Sequence, residues 1–491
     1  MDYALLLSRF TEQHGHHAWP RQRQLHECLR AAIRDGQLAA GTRLVATRAL
    51  ASELGVARNT VLYAYEQLAS EGFVITDRRG TIVAAAAAKT ERRAAPIPQA
   101  GLSKRARNLR RVTTGASIGL PFVPGVPDLD SFPIVLWRRL LDRAWRDLPS
   151  DKLNYGDPCG EMILREAVAD YLRASRGVIC EAAQVFITDG SQSSLDLCAR
   201  ACADEGDTVW MENPGYGGAL AAFRSAGLHI EGIPVDEDGL APGAKDWRER
   251  PPKMIYTTPS HQYPTGTVLS LQRRVDLIDG ARAAGALIIE DDYDSEFRHD
   301  GPPLSAMQGL RPGAPVLYCG TFSKTMFPSL RLGYLVVPPE LAQPLAVMLA
   351  QAVSRGRPAE QLALAEFLRS GQFALHLRRM RRVYRQRRDV LVALLETHLG
   401  NIAEVHGCST GMHLALRFRD PSLSDVAISE RSRDEGIIVN ALSVQSVQGE
   451  SPWQGLMLGY AQVPSEQLEG LVKRLAAVIH LFAYENRKRN R

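Results

Sequence analysis

Residues 320–334 read GTFSKTMFPSLRLGY and set Lys324 in a Ser/Thr-rich loop between two apolar runs, 316–319 and 333–337. Arg331 follows seven residues after the lysine. A loop lysine is by default a solvated surface residue, so its neighbours along the chain have to decide. Just upstream, 286–297 reads ALIIEDDYDSEF, which puts Asp291 and Tyr293 directly after a buried strand at 286–290. Further short β-branched runs at 185–188, 208–211, 229–235 and 254–257 alternate with helical patterns that begin at Ser191 and about Gly218. Such alternation predicts βαβ units around a mostly parallel sheet, with ligands at the carboxyl ends of its strands.

Two more segments belong to the same crevice. TDGSQSSLDL (188–197) opens a helix at Gly190, Ser191 and Gln192, whose unsatisfied N–H groups and dipole suit a phosphate. ENPGYGG (212–218) sets Tyr216 in a strand-to-helix loop, placed to stack on a ring. An amine that forms a Schiff base, a carboxylate that keeps a pyridine nitrogen protonated, a phosphate cradle and an aromatic lid are the requirements of pyridoxal 5′-phosphate. In order and wording these segments resemble the fold type I aminotransferases, α/β pyridoxal-phosphate-dependent transferases, over about 370 residues. The resemblance implies that Lys324 is the Schiff-base lysine, that Asp291 pairs the pyridine nitrogen and that Tyr293 bonds the ring oxygen. It also implies that Gly190, Ser191, Gln192, Thr321, Ser323 and Arg331 hold the phosphate and that Tyr216 stacks on the ring. Tyr155, in LNYGDPCG (153–160), matches a tyrosine that reaches the partner subunit's phosphate, which implies a homodimer with domain exchange.

The chain departs from that family at two contacts. Tyr263 stands in SHQYPTG (260–266) where aminotransferases usually have Asn before Pro-Thr-Gly, so a ring-oxygen contact is sought from His261 or Gln262. The arginine that clamps a substrate α-carboxylate is missing from the strand reading GLMLGYA (455–461), and Gly217 and Gly218 occupy another place where relatives carry one. Arg417 and Arg433 are the candidates to substitute.

The other end of the chain reads differently. From Met1 to Arg111 there are 18 Lys and Arg against 9 Asp and Glu, while the remainder holds 41 and 45. A basic small end on a mildly acidic body points to a polyanionic partner. Between Pro20 and Ala84 three helical patterns precede two short strand-like runs, with Thr47 as an N-cap for the second helix and the third from about Arg58 to Glu71. Ala51, Gly55 and Val61 fall at helix-turn-helix spacing: a small residue for close approach, a glycine for the left-handed turn and a buried aliphatic anchor. A hairpin tipped by Asp77-Arg78-Arg79-Gly80 then reads as a wing. The stretch GQLAAGTRLVATRALASELGVARNTVLYAYEQLASEGFV (36–74) resembles the winged helix-turn-helix of GntR-type bacterial repressors. By that resemblance Arg48, Arg58, Asn59 and Thr60 reach phosphates or base edges of operator DNA, and Arg78 and Arg79 contact backbone or minor groove. Ala57 stands where the family usually has a serine cap.

The expected organisation is an α-rich winged helix-turn-helix domain at 1–84, a linker at 85–119 rich in alanine, proline and basic residues, and an aminotransferase-like effector domain at 120–491. This fusion resembles the MocR subfamily of GntR-type transcriptional regulators. It implies a regulator whose DNA binding responds to an amine or a vitamin B6-type effector, with slow or no transamination. The rivals are a working aminotransferase with an auxiliary DNA-binding end and a body that only dimerises. Seven cysteines without a Cys-x-x-Cys, an N-terminus unlike a signal peptide and no membrane-length apolar run predict a reduced cytoplasmic protein without a bound metal.

Overall fold

The computed structural model describes residues 2–14, 18–78, 80–85, 103, 119–301, 303–352, 356–449 and 453–489. Arg79 and nearly all of the expected linker lie outside the described residues. The chain forms two compact units, Met1–Gly101 and Leu102–Arg491.

In the first unit, helices α1 (Tyr3–His14), α2 (Arg21–Arg34), α3 (Thr47–Leu54) and α4 (Arg58–Ser70) precede strands β1 (Val74–Asp77) and β2 (Gly80–Val83). Leu25, Leu29, Ile33, Leu50, Val61 and Leu68 form one apolar core. The turn between α3 and α4 closes as its residues dictate. Gly55 takes φ +61°, which an L side chain adopts only at a cost, and the Val56 amide bonds back to the Ala51 carbonyl. Val61 is fully buried, and the Tyr65 hydroxyl donates to the Val45 carbonyl at 2.7 Å, fixing α4 to the preceding loop. Two details differ from expectation. Thr47 is the first helical residue, so the cap falls to Ala46, which has no hydroxyl to offer. Helix α1 is an addition to the three expected helices; its apolar stripe is short, Tyr3 and Leu7, and the Tyr3 amide is tied to Glu53 at 3.0 Å.

The second unit is built on an eight-stranded sheet. Its strands are β3 (Val185–Thr188), β4 (Thr208–Asn213), β5 (His229–Asp236), β6 (Gly239–Leu240), β7 (Met254–Thr257), β8 (Leu287–Asp292), β9 (Val316–Thr321) and β10 (Gly333–Val336), in the order β3-β10-β9-β8-β7-β4-β5-β6. The run from β9 to β5 is parallel, while β10 is antiparallel to both its neighbours. Central strands β7, β9 and β10 are buried along their whole length, which is why they read as continuous apolar runs. Strand β8 extends two residues beyond the expected end, so Asp291 lies inside it. Alternation then sends Asp291 and Asp292 to opposite faces: Asp292 pairs with buried Arg176 at 2.7 Å, and Asp291 turns to the crevice. A second, antiparallel sheet holds β11 (Ala403–His406), β12 (His413–Phe418), β13 (Asn440–Ala441) and β14 (Gly455–Gly459) in the order β11-β12-β14-β13.

Candidate cofactor site and DNA-binding unit

A cavity of about 290 Å³ opens at the carboxyl ends of β7, β8 and β9. Its walls include Lys324, Asp291, Tyr293, Tyr216, Ser191, Gln192, Thr321, Ser323 and Arg331. Segments read separately along the sequence therefore converge on one volume.

The Lys324 amine donates to the Gly125 carbonyl at 2.7 Å. Burial lowers its pKa from the ordinary 10.5, against the opposing pull of Asp294 and Asp291. A partly desolvated amine of this kind is nearer its nucleophilic form. Gly125 has φ +74°, and a Cβ there would lie 2.7 Å from the lysine nitrogen. Asp291 is the second charged element. Its Oδ2 accepts from Tyr256 at 2.9 Å, whereas Oδ1 is buried with no partner among the described residues. Burial pushes this carboxyl up to about 7. An orphaned carboxylate oxygen on a cavity wall fits a protonated ring nitrogen, which would supply the missing donor and the missing charge.

The opposite end combines a helix N-terminus with side chains. Helix α5 (Ser191–Cys202) starts after Gly190, which has φ +92°. The Ser193 and Ser194 amides bond the Gly190 carbonyl at 3.0 and 3.2 Å, while those of Ser191 and Gln192 take no carbonyl among the described residues. Arg331 reaches the Asp189 carbonyl at 2.8 Å, and a Cβ on Gly190 would sit 3.4 Å from its guanidinium. Helix N-terminus, hydroxyls of Thr321 and Ser323, and one guanidinium form an anion cradle. The Gln192 side chain is used otherwise: its amide donates to the Gly218 carbonyl at 2.9 Å.

Several contacts differ from the sequence reading. Gln262 and His261 do not line the cavity. The Gln262 amide bonds the buried Glu212 and the Pro214 carbonyl, and His261 Nδ1 faces Asp294 at 3.0 Å. The Tyr293 hydroxyl donates to the His261 carbonyl at 2.9 Å, so His261 positions that phenol from behind. Wall residues that no motif singled out are Pro124, Gly125, Tyr256, Thr258 and His413. Tyr263 is on the wall too, its ring edge-on to Tyr216 at 5.3 Å. Neither candidate arginine reaches the cavity: Arg417 lies over the Trp453 ring and Arg433 is exposed. Tyr155 is 88 % exposed and outside the cavity of its own chain. His261, Asp294 and His413 offer ligand-type atoms within 4.8 Å of one another. The Asp294 carboxylate accepts from the Met412 amide and faces His261 Nδ1, so these two side chains are already paired, while His413 meets His261 only by ring contact at 4.4 Å.

On the first unit, Arg48, Arg58 and Asn59 are exposed at the starts of α3 and α4, Thr60 is half-buried and Arg78 is exposed at the hairpin tip. The α4 N-terminus carries no side-chain cap at Ala57.

A winged helix-turn-helix unit and a transferase-type body with an amine, a carboxylate and an anion cradle in one cavity define a DNA-binding regulator built on an aminotransferase scaffold. Residues 130–475 match the family model for aminotransferase class I and II, and residues 21–83 match that for bacterial regulatory proteins of the gntR family. The chain is 40% identical to the probable rhizopine catabolism regulatory protein MocR of Rhizobium meliloti, covering 94% of both chains. It is 32% identical to the pyridoxine biosynthesis regulator PdxR of Corynebacterium glutamicum, over 93% of this chain and 96% of that one. Among solved structures, the α-aminoadipate aminotransferase LysN of Thermus thermophilus superposes with a TM-score of 0.71 at 28% identity, covering 78% of this chain and 98% of that one. The chain belongs to the MocR subfamily of GntR-type transcriptional regulators. Its body is of the pyridoxal-phosphate-dependent aminotransferase class, and pyridoxal 5′-phosphate is its cofactor. No helix among the described residues is long and apolar enough to cross a membrane.

Proposed function

We propose that the body senses an amine or a vitamin B6-type effector through pyridoxal phosphate at Lys324 and thereby changes how two winged units sit on operator DNA, with little or no transamination. When bound, the cofactor supplies an aldehyde that condenses with amines and a ring that withdraws electrons. Lys324 contributes the amine, Asp291 the charge for the ring nitrogen, and Gly190, Ser191, Gln192, Thr321, Ser323 and Arg331 the cradle for the phosphate. Tyr216 covers the ring. Operator contacts fall to Arg48, Arg58, Asn59, Thr60, Arg78 and Arg79.

The observation that carries the sensing reading is the distribution of cations. Among the described wall residues, Lys324 and Arg331 are the cations, and both are committed to the cofactor. A Cβ at Gly218 would come within 2.4–2.6 Å of the Tyr216 ring, and Leu456, Met457 and Leu458 are fully buried in β14. Transamination needs the Cα–H bond held perpendicular to the ring, which a bidentate arginine usually secures; misplacement alone lowers rates by about 100-fold. Capture of an amine needs no such clamp. An effector that binds the two conformations unequally then shifts their populations.

Tyr155 supports a homodimer with domain exchange, because a tyrosine so exposed and outside the lining of its own cavity suits the cavity of a second copy. The buried or half-buried free cysteines support a reducing, cytoplasmic setting. The domain division supported best remains 1–84, 85–119 and 120–491. The test is a panel of amino acids with a keto-acid acceptor and product analysis. At most a slow, partial conversion is expected, about 100-fold or more below the roughly 10 per second typical of enzymes. Ordinary aminotransferase rates with any member would establish the enzyme instead.

A further inference from the structure

The cavity wall away from the phosphate cradle is neutral and presents a hydrogen-bond acceptor. His413 opens β12, where it pairs with Gly459 of β14, and its side chain reaches the cavity. It is 1% exposed, and its Nε2 is buried without a partner among the described residues. Burial drives its pKa well below the ordinary 6.5; His261 and Lys324 add to the fall, and a bond to the Pro264 backbone opposes it. The ring is therefore the neutral imidazole. With one ring nitrogen given to that backbone, Nε2 is left as a lone pair.

The ring is held firmly. It lies 4.4 Å from the His261 ring, centroid to centroid, and His261 is fixed in turn by both Asp294 oxygens at 3.0 and 3.1 Å. Tyr263 packs edge-on against it at 5.8 Å. A carboxylate brought here would meet another acceptor, and the cations among the described wall residues, Lys324 and Arg331, are those the cofactor engages; an unpaired acceptor rejects a charged ligand strongly in a desolvated site. A hydroxyl would give the lone pair its missing donor.

We infer that His413 selects the effector: the ligand is a primary amine bearing a hydroxyl group, an amino alcohol in the broad sense, and not an amino acid. The inference rests on the cofactor reading above and deepens it. The amine end meets the cofactor, and the hydroxyl end donates to His413 Nε2. The neutral wall of Tyr216, Tyr263 and His413 excludes an ionised carboxyl group.

The experiment titrates the full-length protein loaded with pyridoxal phosphate and follows its visible absorption band. The probes are L-alaninol, L-alanine, 3-aminopropan-1-ol, β-alanine and propylamine. Both amino alcohols are expected to perturb the band at concentrations about tenfold below propylamine and further below the matching amino acids. In His413→Leu the amino-alcohol advantage over propylamine falls to near one, and His413→Gln, which keeps an acceptor, retains part of it. The wild-type ranking tests the inference even if neither variant folds. Amino acids that match or exceed the amino alcohols, or a His413→Leu protein that keeps the wild-type preference, overturn it while leaving the cofactor reading intact. Failure of the protein to form any band with pyridoxal phosphate overturns the cofactor reading itself, and this inference with it.

Discussion

Asp291 is a liability in the protein without its cofactor. Its carboxyl titrates near 7 because burial disfavours the ionised form. A folded pKa raised above the unfolded value means that the group's contribution to stability is present below about 4 and lost as pH rises through about 7. Cofactor-free Asp291→Asn should therefore melt above the wild type at pH 8, by an amount that shrinks towards pH 5 in scanning calorimetry. With pyridoxal phosphate the order reverses, since the variant cannot pair a protonated ring; its affinity should fall by about tenfold or more in equilibrium dialysis, as loss of a charge-assisted bond implies. Gly218→Ala is expected to displace the Tyr216 ring, whose atoms lie 2.4 Å from the added carbon, and to weaken cofactor retention measurably. The motif residues that line the cavity were legible from sequence because each sits at or beside a strand or helix end with a chemical reason to be there, whereas Tyr155, His261 and Gln262 lie outside its wall. Tyr256, Thr258 and His413 were not legible. They reach the same cavity from interior strand positions or loops, and only the register of β7 with β8 and of β12 with β14 brings them in.

At the scale of elements, the interior strands of the large sheet were readable because burial on both faces leaves no polar alternation to confuse the pattern. Their ends were legible to within about two residues. The small antiparallel sheet was mostly hidden: β11 mixes Glu404 and His406 with apolar residues, and β13 has two residues. Helix α4 offers a direct test of the capping argument. Ala57 leaves the first amides without a side-chain acceptor, so Ala57→Ser should stabilise the helix by about 1 kcal/mol. Hydrogen exchange of the α4 amides in the full chain would report this as slower opening, and unchanged protection would contradict it.

For the whole molecule, the charge asymmetry dictates how DNA binding behaves. Binding that depends on several phosphate contacts weakens linearly in log affinity with log salt. Replacing Arg58 should relax sequence preference if it reads a base, or lower affinity uniformly if it holds a phosphate, as a competition series of operator variants would resolve. A chain starting near Leu120 should lose the affinity altogether. The segment that enters the body there has one further property. Residues 120–125 carry the Gly125 carbonyl that holds the Lys324 amine, and the Phe122 carbonyl anchors the same stretch to the Gly459 amide at 2.9 Å. Condensation with the cofactor would leave the Lys324 nitrogen at most one proton and draw it towards the aldehyde carbon, so the bond that holds the 120–125 stretch would compete with the cofactor for one nitrogen. Hydrogen exchange over 120–128 should therefore differ between cofactor-loaded and cofactor-free protein, and adding a capturing amine to the loaded protein should move it back towards the cofactor-free pattern.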